Sequence, residues 1–303
     1  MAEHDAAAGT PHRALSSQGA RTPAASSPAA EATLSGTPTA AESSRLSRAF
    51  SLGRPSLVAY VMGGYPTQEG SLAALHALAN AGADVIELGI PYSDPLADGP
   101  VIRDAADVAR EAAGGAFGLA ETIDLAHDFL AETGENAPPV VLMGYLNPLM
   151  RMGLPKAAAA MLDAGVSGVI LPDLPPDMAG PWLAASTGLE TVFLVAPTST
   201  PERLAKVGEM SRGFVYCVST TGVTGERAEL PAELADLVER VKGSTDLPVA
   251  VGFGVSTPDQ AAAVAQVADG VVVGSAIVRR QRDADELKAF VAELSTAVHA
   301  ARQ

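Results

Sequence analysis

A single (β/α)8 TIM barrel is the fold that this sequence predicts, and three observations predict it. Eight β-then-α units succeed one another across residues 45–303, about the length that such a barrel needs. Their strands are continuously rather than alternately apolar, as in a parallel sheet buried on both faces. The first strand-to-helix turn, Met62-Gly-Gly-Tyr-Pro66, lacks the G-x-G-x-x-G of the doubly wound open sheet, the structural rival.

Residues 1–44 are Ala, Ser, Thr, Pro and Gly with almost no large apolar side chain. Such a segment buries too little surface to offset its ordering entropy and lacks the apolar stretch of a signal peptide, so a disordered extension is expected. Arg45-Leu-Ser-Arg-Ala-Phe50 suits one helical turn at the start of the fold. Leu57-Val-Ala-Tyr-Val-Met62 reads as the first strand, and residues 71–81 as a helix with Leu72, Leu75 and Leu78 inward and Gly82 as its stop. The second strand is 84–90 and its principal helix 118–132, with Ile123, Ala126, Phe129 and Leu130 on one face. The third strand, 140–145, precedes a helix through 157–164; the fourth, 169–171, precedes one near 178–186. Strands five to eight fall at 191–195, 214–218, 249–251 and 271–273. Leu234, Leu237, Val238 and Val241 form a helical stripe after the sixth. Thr257-Pro-Asp-Gln260 opens another helix with a capping residue, a first-turn proline and a glutamine at the box position. Leu287, Phe290, Val291, Leu294 and Val298 mark the last.

The chain is 48% hydrophobic, 18% charged and 4% aromatic, which describes a globular protein with a large aliphatic core. A net charge of -15 argues against nucleic acid as a partner, because no basic cluster is present to neutralise phosphates. One cysteine, Cys217, excludes an internal disulfide and fits a reducing cytoplasm. Five histidines, two of them (His4 and His12) in the tail, offer no metal-ligand spacing, so no metal is expected. No apolar run reaches the roughly 20 residues of a membrane span.

In such barrels the loops after the strands build the site. Alternation places Val85, Glu87 and Gly89 on one face of the second strand and Ile86, Leu88 and Ile90 on the other. A carboxylate in that apolar strand is costly unless its surroundings protonate it or use it, which suits general acid/base work. The rival reading, a buried ion pair, is weakened because the neighbouring strands carry no Lys or Arg. Asp98, eleven residues on in a Pro/Gly loop, is its candidate partner, with a plain turn as the alternative. Tyr60, Tyr145 and Tyr216 sit at or near strand ends and suit either substrate or core; Asn147 and Asp173 suit turns. Cys217 alternates away from Tyr216 and is expected in the outer core, while His76 and His127 lie within helices. Three small-residue segments, Ser219-Thr-Thr-Gly-Val-Thr-Gly225, Gly252-Phe-Gly254 and Gly274-Ser275, follow strands six to eight. Backbone N–H groups there suit an anion, the alternative being tight turns. The residues alone reach a barrel enzyme using two carboxylates on a phosphorylated small molecule.

Glu87-Leu-Gly-Ile-Pro-Tyr-Ser-Asp-Pro-Leu-Ala-Asp-Gly-Pro100 resembles the signature of the tryptophan synthase alpha chain family. So do Met143-Gly-Tyr-Leu-Asn-Pro148, Pro172-Asp-Leu-Pro175, Tyr216 with residues 219–225, Gly252-Phe-Gly254 and Gly274-Ser-Ala-Ile277. Two positions depart from it: Thr220 where some members are basic, and Tyr92 where Phe is usual. The resemblance implies cleavage of indole-3-glycerol phosphate to indole and glyceraldehyde 3-phosphate by a retro-aldol reaction. Glu87 would move protons and Asp98 would accept the indole N–H. Tyr60, Ile102, Tyr145 and Tyr216 would line the pocket, with Thr224 closing over it; Gly225, Gly254, Gly274 and Ser275 would hold the phosphate. The family works as an α2β2 complex whose beta chain carries pyridoxal phosphate, so Asp94, Pro95 and Asn147 would face that partner and this chain would need no cofactor. Another phosphate-binding barrel enzyme would be expected to carry a strand-end Lys or Cys, and a scaffold subunit would not need both acids. A lyase acting alone would release free indole.

Overall fold

The computed structural model describes residues 44–95, 98–218, 232–252 and 254–302. Among them nine strands run parallel: β1 (Ser56–Met62), β2 (Val85–Gly89), β3 (Val140–Met143), β4 (Gly168–Ile170), β5 (Glu190–Val192), β6 (Leu194–Val195), β7 (Val215–Val218), β8 (Val249–Gly252) and β9 (Gly270–Val273). Their order is β5-β4-β3-β2-β1-β9-β8-β7-β6. The two ends of that order are consecutive in the chain, separated by Phe193 alone, so one bent stretch closes the barrel. The single fifth strand expected at 191–195 is thus two: β5 pairs with β4, and β6 with β7. Closure demands such a change of neighbour, because strands tilt as they go round. At the bend the Phe193 carbonyl accepts from Tyr216 N at 3.1 Å.

The period of two expected along each strand sorts the core into two layers. Val58, Val85, Val141, Ile170, Val192, Tyr216, Ala250 and Val272 form one buried cluster inside the barrel. Their neighbours Leu57, Ile86, Val140, Val169, Val215, Cys217, Val249 and Val271 pack outward against the helices. Glu87 falls on the inner row, opposite Tyr60 of β1 and Val141 of β3.

In chain order the helices begin with α1 (Arg45–Ala49), α2 (Gln68–Asn80), α3 (Pro100–Ala112) and α4 (Leu119–Thr133). After β3 come α5 (Leu146–Met152), α6 (Leu154–Asp163) and α7 (Gly180–Ala185), then α8 (Pro201–Met210) and α9 (Ala232–Lys242). The last three are α10 (Pro258–Ala265), α11 (Ser275–Val278) and α12 (Ala284–Ala300). The stripes predicted for α9 and α12 are buried throughout. Thr257 accepts from Gln260 N at α10, while the Gln260 side chain reaches Ser256 rather than closing the box on Thr257.

Four stretches differ from expectation. The loop after β2 gives way at Pro100 to α3, whose buried face is Ala105, Ala106 and Ala109, too small to register as an apolar stripe. Between β6 and β7 lies α8, which buries only Leu204 and Val207; its signal is the Thr200 cap, which accepts from Arg203 N, and Pro201 behind it. The third strand stops at Met143, and Tyr145 is instead the N-cap residue of α5. Asp173 accepts from Leu146 N at 3.0 and 3.1 Å, so its carboxylate holds the first N–H of α5 across the neighbouring loop. The helix expected at 178–186 is a 3-10 turn, Pro176–Met178, followed by α7.

The end of the barrel away from the functional loops is plugged by α1. Leu46 and Ala49 join the inner cluster, and Ser44 accepts from Ser47 N while donating to Glu190 at 2.9 Å. At the same end, Asp84 accepts from Arg54 (2.8 Å), Leu57 N (2.8 Å) and His299 (2.7 Å), tying α12 to the starts of β1 and β2. Burial alone would raise the pKa of Asp84; the bonds from His299, Arg54 and Leu57 N outweigh it and lower it. Among the described residues, no helix is long and apolar enough to cross a membrane.

Candidate active site at the barrel mouth

Glu87 sits third of five residues in β2, 1% exposed, and neither carboxylate oxygen has a hydrogen-bond partner among the described residues. Burial, and then the charge of Asp98, push it up to about 8. A carboxyl so placed holds its proton near neutral pH. Space around it is made by two glycines that admit two tyrosines. A Cβ on Gly89 would lie 2.1 Å from the Tyr60 hydroxyl, and one on Gly252 would lie 2.7 Å from the Tyr216 hydroxyl. Each tyrosine therefore leans towards the strand C-termini, over the glycine that pairs two residues further along the neighbouring strand. Both phenols are raised by burial first and then by the two acids Asp98 and Glu87, so all four groups share one space.

Asp98 lies half-buried immediately before the Gly99 cap of α3. Burial raises its pKa; a hydrogen bond from Tyr145 and the charge of Arg103 oppose that rise. Tyr145 is buried, and its ring stacks on Tyr92 with centroids 5.0 Å apart. Ile102 of α3 turns towards the end of β9: a Cβ on Gly274 would lie 3.8 Å from Ile102 Cδ1 and 3.9 Å from Tyr60 Cβ. Ser275 follows as the first residue of α11. Gly254 is exposed and takes a φ of +65°, which also satisfies the turn reading of that segment. Thr224 and Gly225 lie outside the described residues, as do residues 1–43 and Phe253. Asp94 and Asn147 are exposed and Pro95 half-buried, on the adjacent loops after β2 and β3.

The sequence model of the family described as tryptophan synthase alpha chain matches residues 46–303 of this chain. The tryptophan synthase alpha chain of Novosphingobium aromaticivorans is 47% identical over 267 residues, covering 86% of this chain and 98% of that one.

The chain belongs to the tryptophan synthase alpha chain family.

Its Streptomyces avermitilis relative is 45% identical over 246 residues, with 80% of this chain and 87% of that one covered. A solved structure of Mycobacterium tuberculosis tryptophan synthase superposes with a TM-score of 0.78 at 43% identity, over 85% of this chain and 99% of that one. As a tryptophan synthase alpha chain, the protein is a lyase of tryptophan biosynthesis that cleaves indole-3-glycerol phosphate. Within that family framework, Glu87, Asp98, Tyr60, Tyr145, Tyr216, Ile102 and Gly274 meet at one barrel mouth. Cys217 and His76 do not. Cys217 lies in the outer core, where burial pushes its thiol up to about 12, and His76 bonds Glu132 on the helical surface. Two contributors escaped the sequence reading. Gly89 could have been found as the small residue two positions after Glu87 on the same face. Arg103 stands one turn into a helix, a position that the helix dipole disfavours for a cation, and its use is the Asp98 charge.

Proposed function

We propose that Glu87 and Asp98 divide the cleavage of indole-3-glycerol phosphate between them. Protonated Glu87 delivers its proton to indole C3, giving the cationic indolenine. As the carboxylate it then takes the proton of the side-chain hydroxyl while the C–C bond breaks, its electron pair returning to the ring. Indole and glyceraldehyde 3-phosphate leave, and Glu87 is protonated as at the start. Asp98 stays ionised, accepts the indole N–H and stabilises the positive charge on that ring. The observation that carries this reading is a buried carboxyl, unpartnered among the described residues, with a second acid on the same mouth.

Tyr60, Ile102, Tyr145 and Tyr216 line the pocket, Thr224 closes over it, and Gly225, Gly254, Gly274 and Ser275 hold the phosphate. Asp94, Pro95 and Asn147 meet a beta chain in an α2β2 assembly, where pyridoxal phosphate belongs to the partner and none to this chain. The setting is cytoplasmic. Purified protein is expected to release indole from indole-3-glycerol phosphate slowly, and faster when a beta chain is added; no indole in either assay overturns the reading.

Residues 45–303 form the catalytic unit in this proposal, and the Ala/Ser/Thr/Pro-rich extension before them is dispensable. Removing residues 1–43, which keeps the Ser44 cap of α1, should change the melting temperature by no more than about a degree and leave turnover intact. A large loss of either, read by thermal denaturation and indole release, would make the extension structural.

A further inference from the structure

We propose that Tyr92 is a positioning residue for Asp98: it braces Tyr145 from the loop after β2 and is itself held by Asn147. The proposal rests on the reading of Asp98 given above. Tyr92 and Asp98 stand at the two ends of one loop, and both fasten onto the same short segment beyond β3. At one end, the Tyr92 ring stacks on Tyr145 with centroids 5.0 Å apart and planes 28° apart. Asn147 Nδ2 donates to the Tyr92 hydroxyl at 3.1 Å. At the other end, the Tyr145 hydroxyl donates to the Asp98 carboxylate. Tyr145 is thus held between a ring behind it and a carboxylate in front. A side chain held in this way presents its hydroxyl in one direction, which is what a charge acting on a developing cation requires. Phenylalanine at this position would keep the stack and forfeit the bond from Asn147.

Asp98 is faced by Glu87 of β2, Tyr60 of β1, Tyr145 ahead of α5, Tyr216 of β7 and Arg103 of α3. Of these, Tyr145 and Arg103 favour its ionised form. Loosening Tyr145 therefore moves the acid limb of turnover to higher pH, whereas a merely structural Tyr92 leaves that limb in place.

The test compares full-length wild type with Tyr92→Leu, Tyr92→Phe, Asn147→Ala and the double variant Tyr92→Phe/Asn147→Ala, with Asp98→Asn as reference. Kinetics are read as kcat, KM and the pH dependence of kcat. Tyr92→Leu is expected to lower kcat about tenfold with KM within about twofold, and to shift the acid limb upward. Tyr92→Phe and Asn147→Ala should each cost about threefold, and the double variant no more than either alone, because both remove one bond. Wild-type kcat and acid limb in Tyr92→Leu overturn the proposal. If Tyr92→Leu does not fold, additive losses, or none, in the Phe/Ala pair overturn it instead. Normal turnover in Asp98→Asn overturns the underlying site reading, a result separable from the others.

Discussion

Replacing Glu87 with glutamine is expected to lower turnover at least about 10³-fold, because an amide neither delivers a proton to indole C3 nor takes one from the side-chain hydroxyl. The pocket keeps its shape, so substrate should still bind, with a dissociation constant within a few-fold of wild type. The same variant should gain stability relative to wild type as pH rises. In the folded protein Glu87 is held at about 8 by burial and then by the charge of Asp98, against an ordinary value of 4.5. Below the unfolded value both states are protonated and nothing is lost. Between the two values the unfolded chain gives up its proton and the folded chain does not, so this contribution to stability falls with rising pH and is fully lost above the folded value. That gap is worth on the order of 5 kcal/mol. Glutamine does not titrate. The melting temperature of Glu87→Gln minus that of wild type should therefore grow by several degrees between about pH 5 and pH 8. A difference independent of pH, or a variant that keeps most of its turnover, removes Glu87 from the role of proton carrier.

That trade of stability for chemistry explains why this position was legible before any coordinates. A lone acid in the run Asp84-Val-Ile-Glu-Leu-Gly-Ile90 contradicts the pattern around it, and such local contradictions mark functional positions. The barrel was legible for the opposite reason: its strands are continuously apolar and most of its helices carry the expected apolar stripe. What the pattern hid were elements whose determinants are small or distant. The buried face of α3 is alanine, and α8 buries only Leu204 and Val207; neither yields a broad stripe. The break at Phe193 arises from closing a tilted ring of strands, a property of the whole barrel rather than of residues 191–195. Arg103 and Tyr92 matter only because the chain folds α3 and the loop after β2 beside Asp98 and Tyr145, and spacing along the sequence does not reveal that.

Asp98→Asn is the companion expectation, with a loss of about 10² to 10³-fold in kcat and a smaller change in KM. Asparagine still offers an oxygen to the indole N–H, so the ground-state contact largely survives. It carries no negative charge, and the cationic indolenine is where that charge acts; preorganised groups aimed at developing charge are worth about 2.7–4 kcal/mol. The surroundings of Asp98 are balanced for this use. Burial at the mouth raises its pKa, while the bond from Tyr145 and the charge of Arg103 pull against that rise. Glu87 has no such helpers among the described residues. Two carboxyls on one mouth are thereby driven apart: one retains its proton, and the other is helped to lose it. The sign of the pH dependence follows. In the proposed mechanism turnover needs ionised Asp98 and is expected to decline as pH falls through its folded value; it needs protonated Glu87 and is expected to decline as pH rises past about 8. In Asp98→Asn the acid limb should vanish while the alkaline limb remains, its midpoint lowered because the neighbouring charge that raised Glu87 is gone. A pH profile of kcat for wild type and variant measures both limbs, and an acid limb that persists unchanged in Asp98→Asn would assign it to another group.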